Sequence, residues 1–121
     1  MSEIIYEDDY IQVIVLDDKG AGGAHHKYSI TCKDVDPEKG GYLELGHVQF
    51  QNGAILENGV NGLTNEVLLA IVGHRLECFQ DGPFPSDFNA AALHGVDLAK
   101  LVLEMRTQDR KDRGVEGQTK A

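Results

Sequence analysis

The feature that most constrains the fold is a helical periodicity running from residue 64 to residue 113 and broken once, at Gly82-Pro83. Val67, Leu68, Ile71, Val72, Leu76 and Phe79 recur at i, i+3 and i+4 spacing, which predicts a helix with one apolar face. Thr64 can cap its start and Glu66 suits its first turn. A glycine followed by a proline is a stop signal, and here the glycine is expected in the left-handed conformation. Ser86 then caps a second helix with Asp87 behind it. Phe88, Ala92, Val96, Ala99 and Leu103, widened by Ala91, Leu98, Leu101, Val102 and Met105, give that helix a broad apolar stripe ending at Gly114. At about 1.5 Å per residue it reaches about 40 Å, more than a small domain needs. The stripe is wider than one hairpin mate covers, so a homo-oligomer joined through the helices is expected.

The half before this hairpin reads as β. Tyr10 to Leu16 is dense in β-branched residues, with Gln12 the interruption, and predicts a buried strand. Asp17 to Gly23 is a turn, and Lys27 to Cys32 alternates, with Tyr28, Ile30 and Cys32 on one face. Asp34 to Gly41 is a second turn. In Tyr42 to Gln51 the apolar phase slips from Leu43 and Leu45 to Val48 and Phe50, which a β-bulge near Gly46 repairs. Asn52-Gly53 is a hairpin signal that predicts a short strand over Ala54 to Glu57. The fold class is therefore α+β: an N-terminal antiparallel sheet over about 1–60, then an antiparallel two-helix hairpin over about 63–114, and a tail over 115–121. A chain of 121 residues suits one domain.

Charge bounds the partners. Twenty acidic residues against eleven basic give a net charge of −9, which argues against a groove tracking DNA or RNA. No apolar run is long enough to span a bilayer, Met1-Ser2-Glu3 is not a signal peptide, and two cysteines without a framework suit a reducing cytosol. The Gly20 to Ala24 loop lacks the Gly-Lys-Ser/Thr ending of a phosphate loop and reads as a turn. His25, His26, Cys32 and His47 share no metal-ligand spacing, Cys78 stands alone, and adjacent histidines on a strand face opposite ways. Asp34, Asp36 and Glu38 resemble the opening of a calcium loop, but Lys39 and Leu45 occupy the places of its glycine and its bidentate glutamate. No nucleophile–base motif is present, so no cofactor or metal and no catalysis is expected.

Two constellations point to a ligand instead. Arg106, Arg110 and Arg113, at i, i+4 and i+7, share one helix face, and forked guanidinium groups suit phosphate. Their neighbours Asp109 and Asp112 are expected to hold them weakly. The junction from Phe79 to Asn89, with Phe84 and Phe88, sets aromatic plates beside an asparagine, the pattern a purine requires.

The stretch Gly62-Leu63-Thr64-Asn65-Glu66 to Val72, the junction Phe79-Gln80-Asp81-Gly82-Pro83-Phe84, Asn89-Ala90, and Arg106-Thr107 followed by Arg110-Lys111-Asp112-Arg113-Gly114-Val115-Glu116-Gly117 resemble the phage Thoeris anti-defence sponge family. Its helical hairpin is shared with the anti-CBASS cyclic-nucleotide sponges, and Gly22-Gly23-Ala24 ahead of a strand is similar to the Thoeris type. The resemblance covers nearly the whole chain. It implies a protein of the host cytoplasm that binds a cyclic ADP-ribose isomer made by TIR-domain immune proteins and holds it uncleaved. For some members it also implies cyclic di- or trinucleotides as ligands, in dimeric or hexameric assemblies. Carried over, Phe79 and Asn89 become the adenine-contacting pair, and Arg106 and Arg110 the phosphate contacts. Ser86-Asp87-Phe88 departs from the Cys-Arg-Glu that relatives often carry, and Gln118 interrupts their Gly-Thr ending. The rival functions are an enzyme degrading the same signal and an acidic protein-interaction or nucleic-acid-mimic module.

Overall fold

A computed structural model describes residues 3–33 and 43–118. The turn expected over Asp34 to Gly41, with the acidic residues likened to a calcium loop, lies outside the described residues, as does the tail beyond Gln118. The chain divides into two compact units, Met1–Gly62 and Leu63–Ala121.

The first unit is a four-stranded antiparallel sheet in the order β1-β2-β3-β4, with β1 at Ile4–Glu7, β2 at Ile11–Val15, β3 at Lys27–Cys32 and β4 at Leu43–Gln49. Each strand pairs with the next in sequence. Strand β1, hidden in the sequence by its acidic flanks, turns into β2 through Asp8, whose carboxylate accepts the Tyr10 and Ile11 N–H groups at 2.8 Å each. Those two bonds hold the Asp8 carboxyl below its ordinary range. Register on β3 and β4 jumps from Ile30↔Gly46 to Thr31↔Glu44, leaving Leu45 as the extra residue of a β-bulge beside Gly46, as the phase slip requires. Burial on β3 falls on Ser29 and Thr31, while Tyr28, Ile30 and Cys32 on the apolar face are half-buried. Ser29 donates its hydroxyl to the Glu44 carboxylate at 2.7 Å.

After Asn52-Gly53 the chain does not form the expected strand. Ile55–Asn58 is instead a single helical turn, α1. The reason is a side-chain clamp across the loop: Asn61 receives the Asn52 N–H and donates its own amide to the Asn52 carbonyl, both at 2.8 Å. The Gln51 amide reaches the Gly53 and Gly59 carbonyls at 3.1 and 2.8 Å and accepts the Asn61 N–H at 2.9 Å. Asn side chains thus satisfy backbone groups that a strand would pair, and a helical turn fills the closed loop. Gly53 has φ +86, and a Cβ there would collide with the Asn58 side-chain amide.

The second unit is the helical hairpin, α2 at Asn65–Asp81 and α3 at Asp87–Asp112, packed on each other. Thr64 caps α2 by accepting the Val67 N–H, and Ser86 caps α3 by accepting the Asn89 N–H at 3.0 Å. Gly82 departs from expectation: its φ of −92 and ψ of −167 are extended, because the following Pro83 excludes helical backbone at the residue before it. Helix α3 ends as predicted at Gly114, where φ is +73, the Gly114 N–H bonds the Lys111 carbonyl, and the Val115 N–H bonds the Arg110 carbonyl. Gly73 is the buried point of α2, its Cα facing Val96 of α3.

Candidate functional site

The hairpin tip is set by Gln80. Its side-chain amide donates to the Ser86 carbonyl at 3.0 Å and accepts the Ser86 N–H at 2.9 Å, so one residue of α2 grips the N-cap of α3 from both sides. This fixes the Gly82-Pro83-Phe84 turn as the wall of a concavity of about 340 Å³, lined by Arg75, Cys78, Phe79, Gly82, Pro83 and Phe84. That volume lies at the small end of the range for ligand sites. Two aromatic rings contribute to it: Phe79 is 44% exposed and Phe84 is 80% exposed. Phe88, at 89% exposed, does not close the hairpin as its place in the apolar stripe suggested.

Arg75 and Phe79 stand one turn apart on α2, and the Arg75 guanidinium lies 5.0 Å from the Phe79 ring centroid. Cys78 is exposed and has a neighbour after all, the His74 Nδ1 at 4.0 Å from its Sγ. That separation follows from i, i+4 spacing on a helix. It is longer than the contact by which a base activates a nucleophile. Asn89, half-buried in the first turn of α3, spends its backbone N–H on the Ser86 cap and keeps its side-chain amide uncommitted among the described residues.

The arginines behave differently from one another. Arg106 is exposed and makes no ion pair or hydrogen bond among the described residues. Arg110 is engaged: its terminal nitrogen donates to the Val115 carbonyl at 3.0 Å and to the Gln118 carbonyl at 2.8 Å, tying the tail back to the helix. Arg113 pairs with Asp109 at 3.1 Å, whereas Asp112 accepts from Gln108 at 2.9 Å and not from an arginine. Position matters more than partners. With ~1.5 Å of rise per residue, Asn89 and Arg106 are about 26 Å apart along α3. The aromatic tip and the arginine end of one chain are too far apart to contact one nucleotide-sized ligand together.

In the sheet unit, His25 and His26 precede β3 in irregular backbone, so strand alternation does not separate them. Both rings approach Asp17, at 3.7 and 4.0 Å. Burial pushes the Asp17 carboxyl up, but the His26 and Lys27 N–H groups and the two imidazoles outweigh it and leave its pKa lowered. Among the described residues no group of three histidines, cysteines or carboxylates could hold a metal ion, and no helix is long and apolar enough to cross a membrane.

Sequence reasoning singled out Phe79, Phe84 and Asn89 and overlooked Arg75, Gln80 and the His74–Cys78 pair. The i, i+4 spacing of Arg75 and Phe79 was the available signal, whereas the reach of Gln80 across the tip follows only from the turn geometry.

No family model matches the chain. Among curated proteins it is similar to "Thoeris anti-defense 1" of Bacillus phage SBSphiJ7, with 40% identity over 98 residues that make up 81% of this chain. The same stretch spans 63% of the relative, less than two thirds of its length.

Proposed function

The chain belongs to the Thoeris anti-defence family, and from that premise we propose that it counters Thoeris immunity by binding a cyclic ADP-ribose isomer made by TIR-domain proteins and holding it uncleaved in the host cytoplasm. The observation that carries this reading is the aromatic concavity at the hairpin tip, where Phe79 and Phe84 offer stacking faces to a base. Asn89, in the first turn of α3 and outside the lining of that concavity, has a side-chain amide uncommitted among the described residues, with the donor and acceptor a purine edge needs.

The phosphate half of the site comes from a second copy. Within one chain Arg106 is about 26 Å and Arg110 about 32 Å from Asn89 along α3. An antiparallel pairing of two α3 helices brings the arginine end of one copy to the aromatic tip of the other. The exposed apolar side chains of α3, Leu98, Leu101, Val102 and Met105, are each more than half exposed and supply the surface for that pairing. Arg106, without an ion pair or hydrogen bond among the described residues, is the phosphate contact, and Arg110 chiefly holds the tail. Cyclic di- and trinucleotides, which share a base and anionic phosphates, are a second ligand class for the same assembly.

One observation favours a second reading. Cys78 lines the concavity one turn from His74, the residue types of a nucleophile and base, and a ligand-induced shortening of their 4.0 Å separation would suit an enzyme degrading the same signal. Calorimetric titration with cyclic ADP-ribose isomers, for wild type and Phe79→Ala, separates the alternatives. The sponge binds stoichiometrically with a steady heat per injection and loses affinity in the variant. Continuous heat at saturating ligand, abolished by Cys78→Ala, would establish turnover instead.

A further inference from the structure

We infer that Arg75 is the same-chain anion contact of the hairpin-tip pocket and sets its preference for phosphorylated over neutral bases. This rests on the nucleotide-binding reading above and adds a residue that neither the arginine stripe nor the junction motif contains. Three observations converge on it. Arg75 lines the concavity with Phe79 and Phe84, so its charge sits at the wall the base would stack against. Its guanidinium lies over the Phe79 ring at 5.0 Å, which holds it in the pocket in place of a free sweep through solvent. Unlike Arg110 and Arg113, it makes no ion pair or hydrogen bond among the described residues, so its five donors are open.

The chemistry follows from that geometry. A guanidinium resting on an aromatic face is already desolvated on one side and oriented, so it loses little freedom when an anion arrives at its edge. A ligand carrying both a planar base and a phosphate can meet the ring and the fork together. A neutral nucleoside meets only the ring. The surrounding chain is strongly acidic, with a net charge of −9, so a cation at the pocket wall decides whether a dianionic ligand is admitted or repelled. Ser86-Asp87-Phe88 places Asp87 in the first turn of α3, close in sequence to the tip, and makes a local cation more necessary.

The test compares wild type with Arg75→Met, which keeps the length and removes the charge, and Arg75→Lys, which keeps the charge and removes the planar fork. Arg75→Gln is a second uncharged variant, and Phe79→Ala reports on the pocket itself. The probes are the cyclic ADP-ribose isomers from a TIR-domain enzyme, titrated across a series of KCl concentrations, with adenosine as the uncharged control. Circular dichroism melts check the fold of each variant. Arg75→Met and Arg75→Gln are expected to weaken isomer binding at least tenfold, with Arg75→Lys between them and wild type. They should also flatten the dependence of affinity on KCl while leaving adenosine binding unchanged, which a packing role would not do. Wild-type affinity and salt dependence in both uncharged variants, with binding lost in Phe79→Ala, would overturn the assignment and leave the nucleotide reading standing. Failure of the wild type to bind any isomer would overturn both.

Discussion

Arg106 and Arg110 share a helix face but should respond differently to the same substitution. Arg110 donates two hydrogen bonds from a half-buried guanidinium to the Val115 and Gln118 carbonyls. Hydrogen bonds from charged groups contribute about 1.5–3 kcal/mol when shielded. Here water can replace part of each, so about 1.5 kcal/mol for the pair is the expected loss in Arg110→Ala. For a unit this small that is a fall of about 6–12 °C in Tm. Arg106 is exposed and makes no ion pair or hydrogen bond among the described residues, so Arg106→Ala should stay within about 0.5 kcal/mol of wild type. Binding should show the opposite pattern. Arg106→Ala is expected to weaken phosphorylated cyclic ligands tenfold or more, corresponding to at least about 1.4 kcal/mol of lost contact. Thermal melts at fixed protein concentration, with hydrogen exchange at the Val115 and Gln118 amides, read the stability side, and calorimetry reads the binding side. Equal melting of the two variants, or loss of binding only in Arg110→Ala, would refute the division of labour.

Gln80→Ala removes both bonds that grip Ser86 and should cost about 1–3 kcal/mol, with ligand affinity falling as the tip loosens; a melt and affinity like wild type would deny the clamp its role. Val102→Asp sets a charge on the exposed apolar face of α3 and should dissociate the proposed α3-paired assembly with helicity kept, as read by light scattering and circular dichroism; a wild type that scatters as a monomer would refute the pairing. Asp17 has its pKa lowered by folding, so it adds stability that is complete above the ordinary carboxylate value of 3.8 and is lost as pH falls through the folded-state value. Asp17→Asn should therefore melt lower than wild type at neutral pH, and the gap should close on acidification below pH 3.8. A gap that widens toward acid would reverse the sign.

What was legible in the sequence was whatever local chemistry decides. Thr64, Ser86 and Gly114 mark helix ends because caps act within one turn. The phase slip between Leu45 and Val48 disclosed the bulge because strand alternation is strict. The misses arise where a partner distant in sequence decides. Ala54 to Glu57 looked like a strand until Asn61 and Gln51 reached back to claim the backbone groups of Asn52, Gly53 and Gly59. Strand β1 carries little pattern of its own and is held by pairing with β2. Gly82 was misread because the restriction from Pro83 overrides the freedom of glycine. At the site, Phe79, Phe84 and Asn89 were visible as residue types. The separation of Asn89 from Arg106, which keeps them from sharing one ligand within a chain, emerges only when both are placed on one rigid helix.

Whether the protein captures its ligand without altering it is read from what it releases. The protein is incubated with TIR-made cyclic ADP-ribose isomers for increasing times, freed of unbound ligand and heat-denatured, and the released material is identified by chromatography and mass spectrometry. A protein that only holds its ligand releases one intact cyclic isomer, recovered in constant proportion to protein at every time point. A linearised or hydrolysed product that accumulates with time, or no released nucleotide at all, would contradict it.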